Sequence, residues 1–245
     1  MNRSPIPTRK DNDMASPTAA RTVSAPFAPA ARINRSLTAS LEKRLLEAMA
    51  RRAPRWVTSD RLTALGLAAQ FAAGCFYAVA RWHRWALLLV IVCIALNWLG
   101  DSLDGTLARV RQQQRPRYGF YVDHVVDIFG ATALMAGLAC SGFVHWPIAL
   151  AMLLAFLLLS AESYLAAHTL SRFEMSQGLF GPTEIRILLI LGTLAVLRDP
   201  WARLFGHRLL LFDVGGAIAS ACMFATLVAV TIRHTIQLYR EEPLP

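Results

Sequence analysis

The sequence predicts an all-α, polytopic membrane protein: a six-transmembrane-helix bundle preceded by an amphipathic interfacial helix. Three observations predict it. The 245 residues are 55% hydrophobic, with a mean hydropathy of +0.41, more apolar surface than one soluble domain of this length can readily bury. The apolar residues are gathered into six runs. The basic residues, which bring the formal net charge to +9, lie largely before and between those runs, where they set membrane orientation. A basic balance can also serve nucleic acid, but this distribution disfavours it.

Residues 1–35 are rich in Pro, Ala, Ser, Thr and Arg and lack a sustained apolar core, so they are expected to be a disordered tail and not a secretory signal. Residues 36–55 form the expected juxtamembrane helix. Leu37, Leu41, Leu45 and Met49 recur on one side of it, with Lys43, Arg44, Arg51 and Arg52 elsewhere on the wheel. Such a helix can lie on an anionic membrane face or pack against the rest of the protein. The membrane domain is expected over 56–236, with a short tail at 237–245.

Its apolar spans run from about Leu62 to Ala80, Trp85 to Leu103, Phe120 to Phe143, Pro147 to Ala167, Ile185 to Leu197 and Leu211 to Ile232. An even number of crossings puts both termini on one side. The N-terminal segment and the loop with Arg109, Arg111, Arg115 and Arg117 share that side, and basic segments of this kind are usually cytoplasmic. The last outer connection, around Asp199, Pro200 and Trp201, mixes Pro and Gly with apolar residues and reads as partly interfacial. Cys75, Cys93, Cys140 and Cys222 stand singly inside apolar spans and read as small buried hydrophobes.

Asp101, Asp104, Asp123 and Asp127 fall at the edges of apolar runs, and carboxylates there are costly unless compensated, which makes them a functional signal. On a helix, positions 101, 104, 105 and 108 share one face, so Asp101 and Asp104 point the same way beside the small residues Gly105 and Ala108. Asp123 and Asp127 are stacked at i, i+4. Gly105 lets a ligand approach the backbone, and Arg109 offers a planar donor for phosphate. The oxygen donor set suits Mg2+ or Mn2+ shared with a substrate phosphate, not Zn2+. Helix capping or pairing with the loop arginines is the structural alternative, and a cation-binding membrane transporter is the alternative of a different functional class.

The run Asp101-x-x-Asp104-Gly105-x-x-Ala108-Arg109 followed by Gly119-x-x-x-Asp123-x-x-x-Asp127 resembles the signature of the CDP-alcohol phosphotransferases (CDP-alcohol phosphatidyltransferases). The separation of Arg109 from Gly119 is slightly longer than usual. The resemblance implies a six-helix membrane enzyme of phospholipid biosynthesis that moves a substituted phosphate from a CDP-linked donor to an alcohol and releases CMP. It implies that Asp101, Asp104 and Asp123 ligate Mg2+ or Mn2+. Asp127 either completes a two-metal site or acts as the base. Gly105, Ala108, Arg109 and Gly119 hold the CDP moiety. The entry segment Trp56 to Thr63 resembles the family's Thr-Pro-Asn-x-x-Thr start, with Asp60 where Asn is common.

Asp123-His124-Val125-Val126-Asp127 resembles the corresponding run of the choline/ethanolamine phosphotransferase branch, which makes His124 a second candidate base. Phe120 departs from that branch, which has Glu at this place. Gly181-Pro182-Thr183-Glu184 and Glu162-x-Tyr164 are similar to elements elsewhere in the family. The expected reaction is transfer from a CDP-aminoalcohol-like donor to diacylglycerol, with CDP-diacylglycerol-dependent transfer to glycerol 3-phosphate, inositol phosphate or serine as the alternative. Expected partners are the CDP-linked donor, a lipid or polar alcohol acceptor, membrane lipids and a second copy of the chain. The expected location is the bacterial inner (plasma) membrane, with the active site and both termini facing the cytoplasm. Arg172 and Arg186 are expected to meet an anionic headgroup or anionic lipid.

Overall fold

The computed structural model describes residues 31–33, 39–170, 172–174, 182–204 and 206–242. Seven helices are present among them: α1 (Ala39–Arg52), α2 (Ser59–Val79), α3 (Ala86–Val110), α4 (Pro116–Cys140), α5 (Trp146–Thr169), α6 (Pro182–Arg198) and α7 (Leu211–Glu241). The protein is all-α and polytopic in character, as its sequence predicts. α2, α3, α4, α5 and α7 are each long and apolar enough to cross a membrane. α6 has 17 residues, short of the ~20 that usually span.

Strand pairs are minor. Ala31–Ile33, β1, lies parallel to Arg172–Glu174, β2. The remainder of the N-terminal tail, Gly181 and the side chain of Arg172 fall outside the described residues. The connection between α6 and α7 is an antiparallel hairpin of β3 (Trp201–Leu204) and β4 (His207–Leu210). Its turn contains Gly206 at φ +82°, a left-handed conformation that glycine adopts without a Cβ penalty. Pairing satisfies backbone groups that an apolar surface would otherwise strand. Arg208 lies over the Trp201 ring at 5.4 Å.

α2 is the central helix, packed between α3 and α4. Glycine makes both contacts close. A Cβ on Gly100 would stand 2.6 Å from the Leu62 carbonyl oxygen, and one on Gly137 would stand 1.9 Å from that of Gly74. α3 and α4 are thus held on either side of α2, with α6 against α3 and α7 against α5.

The end of the bundle away from the α3–α4 turn is closed by an apolar cluster that includes Tyr77, Leu87, Val90, Leu138, Val196 and Phe212. Tyr77 Oη and Thr193 Oγ1 meet at 2.6 Å inside it, sparing the Tyr77 hydroxyl an unsatisfied burial that costs about 1–3 kcal/mol, while Thr193 Oγ1 donates to the Leu189 carbonyl at 2.7 Å. Trp82, Trp85, Trp146 and Trp201 are exposed at this end, as tryptophans at a membrane interface are. Asp213 accepts from the His145 backbone amide at 2.7 Å and ties the start of α5 to α7.

At the opposite end a second cluster joins Leu46 and Ala50 of α1 to Leu62, Leu103 and Leu107. The amphipathic helix therefore packs on α3, and of the expected face Met49 lies against this cluster. Leu46 and Ala50 are buried while Leu45 is exposed, and Lys43, Arg44, Arg51 and Arg52 face outward. Leu37 and the side chain of Leu41 lie outside the described residues. Arg111 fixes the helix end by donating to the carbonyls of Ala53, Pro54 and Val57. The cysteines are also corrected: Cys93 is buried, whereas Cys75, Cys140 and Cys222 are exposed on apolar helix faces. A bilayer as solvent relaxes the need to bury them.

Candidate active site

α3 extends beyond its apolar run, so Asp101, Asp104, Gly105, Ala108 and Arg109 all stand on continuous helix. It ends where Gln112 adopts φ 55°. The amides of Gln112 and Gln113 close back on the carbonyls of Arg109 and Ala108, an αL-terminated helix end. Pro116 then occupies the first turn of α4, where its missing N–H is harmless. This tight reversal places the Asp101–Asp104 face and the Asp123–Asp127 face at the same end of the bundle.

Asp104 is buried. Thr63 Oγ1 donates to its Oδ2 at 2.5 Å, the Gly105 amide donates to its Oδ1, and Ser59 Oγ donates to its backbone carbonyl at 3.1 Å. The start of α2 therefore orients this carboxylate. Asp101 and Asp123 both act electrostatically on Asp104. Asp127 feels Asp101, Asp104 and Asp123, together with the guanidinium of Arg186. All four aspartates predicted from the sequence thus share one electrostatic neighbourhood, reached from α3 and α4.

Arg186 is expected from the sequence to meet an anionic headgroup or anionic lipid. It points inward. Its Nη2 donates to Asp101 Oδ2 at 2.7 Å and its Nε to Asn97 Oδ1 at 2.8 Å. Asn97 in turn donates to the Gly66 carbonyl at 3.0 Å and to Gln70 at 3.2 Å. Asn97 was detectable, since an amide in the middle of an apolar run has to find partners. Thr63 and Arg186 lacked such a signal, because their partners are distant in sequence.

Two of the loop arginines have partners away from the cluster. Arg111 is committed to backbone carbonyls, and Arg115 pairs with Asp60 while lying over the Tyr118 ring. Arg109 Nη2 donates to Thr106 Oγ1 at 2.8 Å. A Cβ on Gly105 would come 3.6 Å from Arg109 Nη1, and one on Gly119 would meet nothing within 4 Å. Protein packing therefore does not require glycine at 119.

His124 Nδ1 contacts the Phe120 carbonyl oxygen. A carbonyl only accepts, so Nδ1 carries the hydrogen and a neutral ring keeps its lone pair on Nε2. The imidazole packs against Phe120 and Tyr164, with ring centroids 4.1 and 4.4 Å away. Glu162 faces the other way, toward α7, where His234 Nδ1 lies 2.6 Å from its Oε1. Glu184 is buried at the start of α6.

The α3 pair Asp101 and Asp104 and the α4 pair Asp123 and Asp127 supply carboxylate oxygens at one end of the bundle. Oxygen donors of this kind fit a hard divalent cation. Among the described residues no group of three or more His, Cys, Asp or Glu is already closed into a metal-holding set. Arg186 and Thr63 take up carboxylate oxygens that such a set would use.

A family model described as CDP-alcohol phosphatidyltransferase matches residues 56–233, well over half of the chain. The match begins just before α2 and ends within α7. No curated protein matches this chain.

Proposed function

This chain belongs to the CDP-alcohol phosphatidyltransferase family, and from that membership we propose that the α3–α4 carboxylate cluster transfers a substituted phosphate from a CDP-aminoalcohol-like donor to diacylglycerol, with release of CMP. Membership makes the chain a transferase of phosphate-containing groups in phospholipid synthesis, acting on a CDP-alcohol donor and an alcohol acceptor. The observation that carries the reading is the placement of Asp101 and Asp104 on α3 and of Asp123 and Asp127 on α4 at the same end of the bundle.

In this reading Asp101, Asp104 and Asp123 hold Mg2+ or Mn2+, with Asp127 available to a second ion. When bound, the metal neutralises diphosphate charge. Thr63 keeps Asp104 in its rotamer, and Arg186 does the same for Asp101. Gly105 and Ala108 leave room on α3 for the donor, Arg109 reaches its phosphate, and Gly119 opens the start of α4 to it. Orientation of this kind supplies much of the rate enhancement when chemistry depends on in-line displacement.

The acceptor hydroxyl must lose its proton as its oxygen attacks phosphorus and CMP leaves. His124 Nε2 and the Asp127 carboxylate are the two groups proposed to take it. The tether from Nδ1 to the Phe120 carbonyl holds the imidazole in the tautomer that can act as a base. Phe120 and Tyr164 add aromatic surface of the kind that attracts an alkylammonium headgroup.

A second reading draws on Arg186. A guanidinium inside the cluster suits a phosphorylated polar acceptor, and hence a CDP-diacylglycerol donor. The proposed orientation puts this end of the bundle, with Arg109, Arg111, Arg115 and Arg117, in the cytoplasm of a bacterial inner membrane. Purified protein in nanodiscs, supplied with Mg2+ or Mn2+ and a panel of CDP-aminoalcohol and CDP-diacylglycerol donors, tests both readings through CMP release. Release with a CDP-aminoalcohol and diacylglycerol supports the first, and release with CDP-diacylglycerol and a polar alcohol the second. No CMP from any pair sinks the proposal.

A further inference from the structure

One oxygen of Glu42 receives three donors. Trp98 Nε1 reaches Glu42 Oε1 at 3.0 Å, Ser102 Oγ at 3.1 Å and Thr183 Oγ1 at 2.9 Å. Trp98 and Ser102 stand one turn apart on α3, and Thr183 is in the first turn of α6. A single side chain from α1, outside the matched family region, thus binds α3 to α6.

The location gives the contact its meaning. Ser102 follows Asp101 directly, and Thr183 precedes Arg186 by one helical turn. Between the same two helices Arg186 holds Asp101 and Asn97. The α3–α6 seam therefore has two latches, one through Glu42 and one through Arg186. α1 is itself anchored, by Leu46 and Ala50 in the inner apolar cluster and by Arg111 on the carbonyls at its end. Glu42 is carried on a fixed element.

We propose that Glu42 is a positioning residue for transfer, holding α6 against α3 so that Arg186 keeps Asp101 in its working orientation. The proposal rests on the transferase reading above. Its chemistry requires only an accepting oxygen at the Oε1 position, which a glutamine amide also supplies. Loss of that oxygen strands three donors and frees the start of α6. A displacement of about 1 Å remote from the chemistry can cost ~100-fold in rate. KM for the donor should be little affected, because Glu42 touches neither α4 nor Arg109 in its described hydrogen bonds.

The test compares full-length wild type, Glu42→Ala, Glu42→Gln and Thr183→Val in nanodiscs. In Glu42→Ala, kcat should fall at least tenfold, donor KM should change less than about threefold, and Glu42→Gln should recover most of the turnover. Thr183→Val should lower kcat by severalfold and add little to the loss in Glu42→Ala, since the two share one contact. Hydrogen exchange, read without substrate, should show lost protection in the first turns of α6 in both Glu42→Ala and Thr183→Val. If Glu42→Ala does not fold, Thr183→Val carries the same exchange and kcat tests alone.

Unchanged α6 protection overturns the proposal whether or not the chain turns over any donor tried. So does wild-type kcat in the variants, or Glu42→Gln as impaired as Glu42→Ala. Wild type that releases no CMP overturns the transferase reading instead, and the exchange result still decides whether Glu42 holds α6.

Discussion

Arg186 donates to Asp101 at 2.7 Å while its Nε holds Asn97, so one member of the carboxylate cluster has a cation fixed to it by a helix far away in sequence. Both side chains are largely sheltered, at 13% and 34% exposure. A planar guanidinium can serve the amide and the carboxylate together, and an ammonium cannot reproduce that fork. Arg186→Ala should therefore abolish measurable CMP release, and Arg186→Lys should restore only a small part. Wild-type turnover in Arg186→Lys would show that charge alone suffices.

Thr63 gives Asp104 its only side-chain hydrogen-bond donor among the described residues. Thr63→Val keeps the shape and removes the donor, leaving a buried carboxylate oxygen short of a partner at a cost of about 1–3 kcal/mol. The thermal midpoint should fall and turnover should drop, while Thr63→Ser should retain most of both. Equal behaviour of the Val and Ser variants in a melting and CMP-release comparison would refute the orienting role.

Glycine substitutions separate packing from ligand access. Gly100→Ala and Gly137→Ala put a Cβ into backbone at 2.6 and 1.9 Å, so α2 must shift and the protein should lose stability or fail to assemble. Gly119→Ala meets nothing in the protein. It should melt like wild type and show a raised donor KM if the CDP moiety passes there. An unchanged KM would remove Gly119 from the proposed donor site.

His124 and Asp127 are competing bases on one helix. His124→Ala and Asp127→Asn should be compared for turnover and for binding of CDP. The variant that loses turnover while still binding CDP identifies the base. Near-wild-type turnover in both would remove the assignment.

Metal removal tests the donor set. Chelation should stop CMP release, and Mg2+ or Mn2+ should restore it better than Zn2+, since the donors are carboxylate oxygens. Zn2+ restoring activity as well as Mg2+ would argue against a hard-cation site.

Much of the fold and site was legible because it is local. Hydropathy marks an apolar helix without reference to its neighbours, and spacing at i+3 and i+4 puts Asp101 with Asp104, and Asp123 with Asp127, on common faces. The αL turn at Gln112 and the proline at 116 make the α3–α4 reversal, which joins those faces at one end.

What the sequence alone determined, then, was an all-α membrane protein carrying the aspartate signature of its family. Tertiary structure decided which side chains hold that signature in place. Thr63 reaches Asp104 because glycine-lined contacts bring α2 against α3. Arg186 turns inward because α6 packs on α3. α1 presents Glu42, Leu46 and Ala50, not Leu45, to the protein, since a helix's buried face is chosen by the surface it meets. Periodicity fixes which residues share a helix face. Only the packing of one helix on another decides what that face touches.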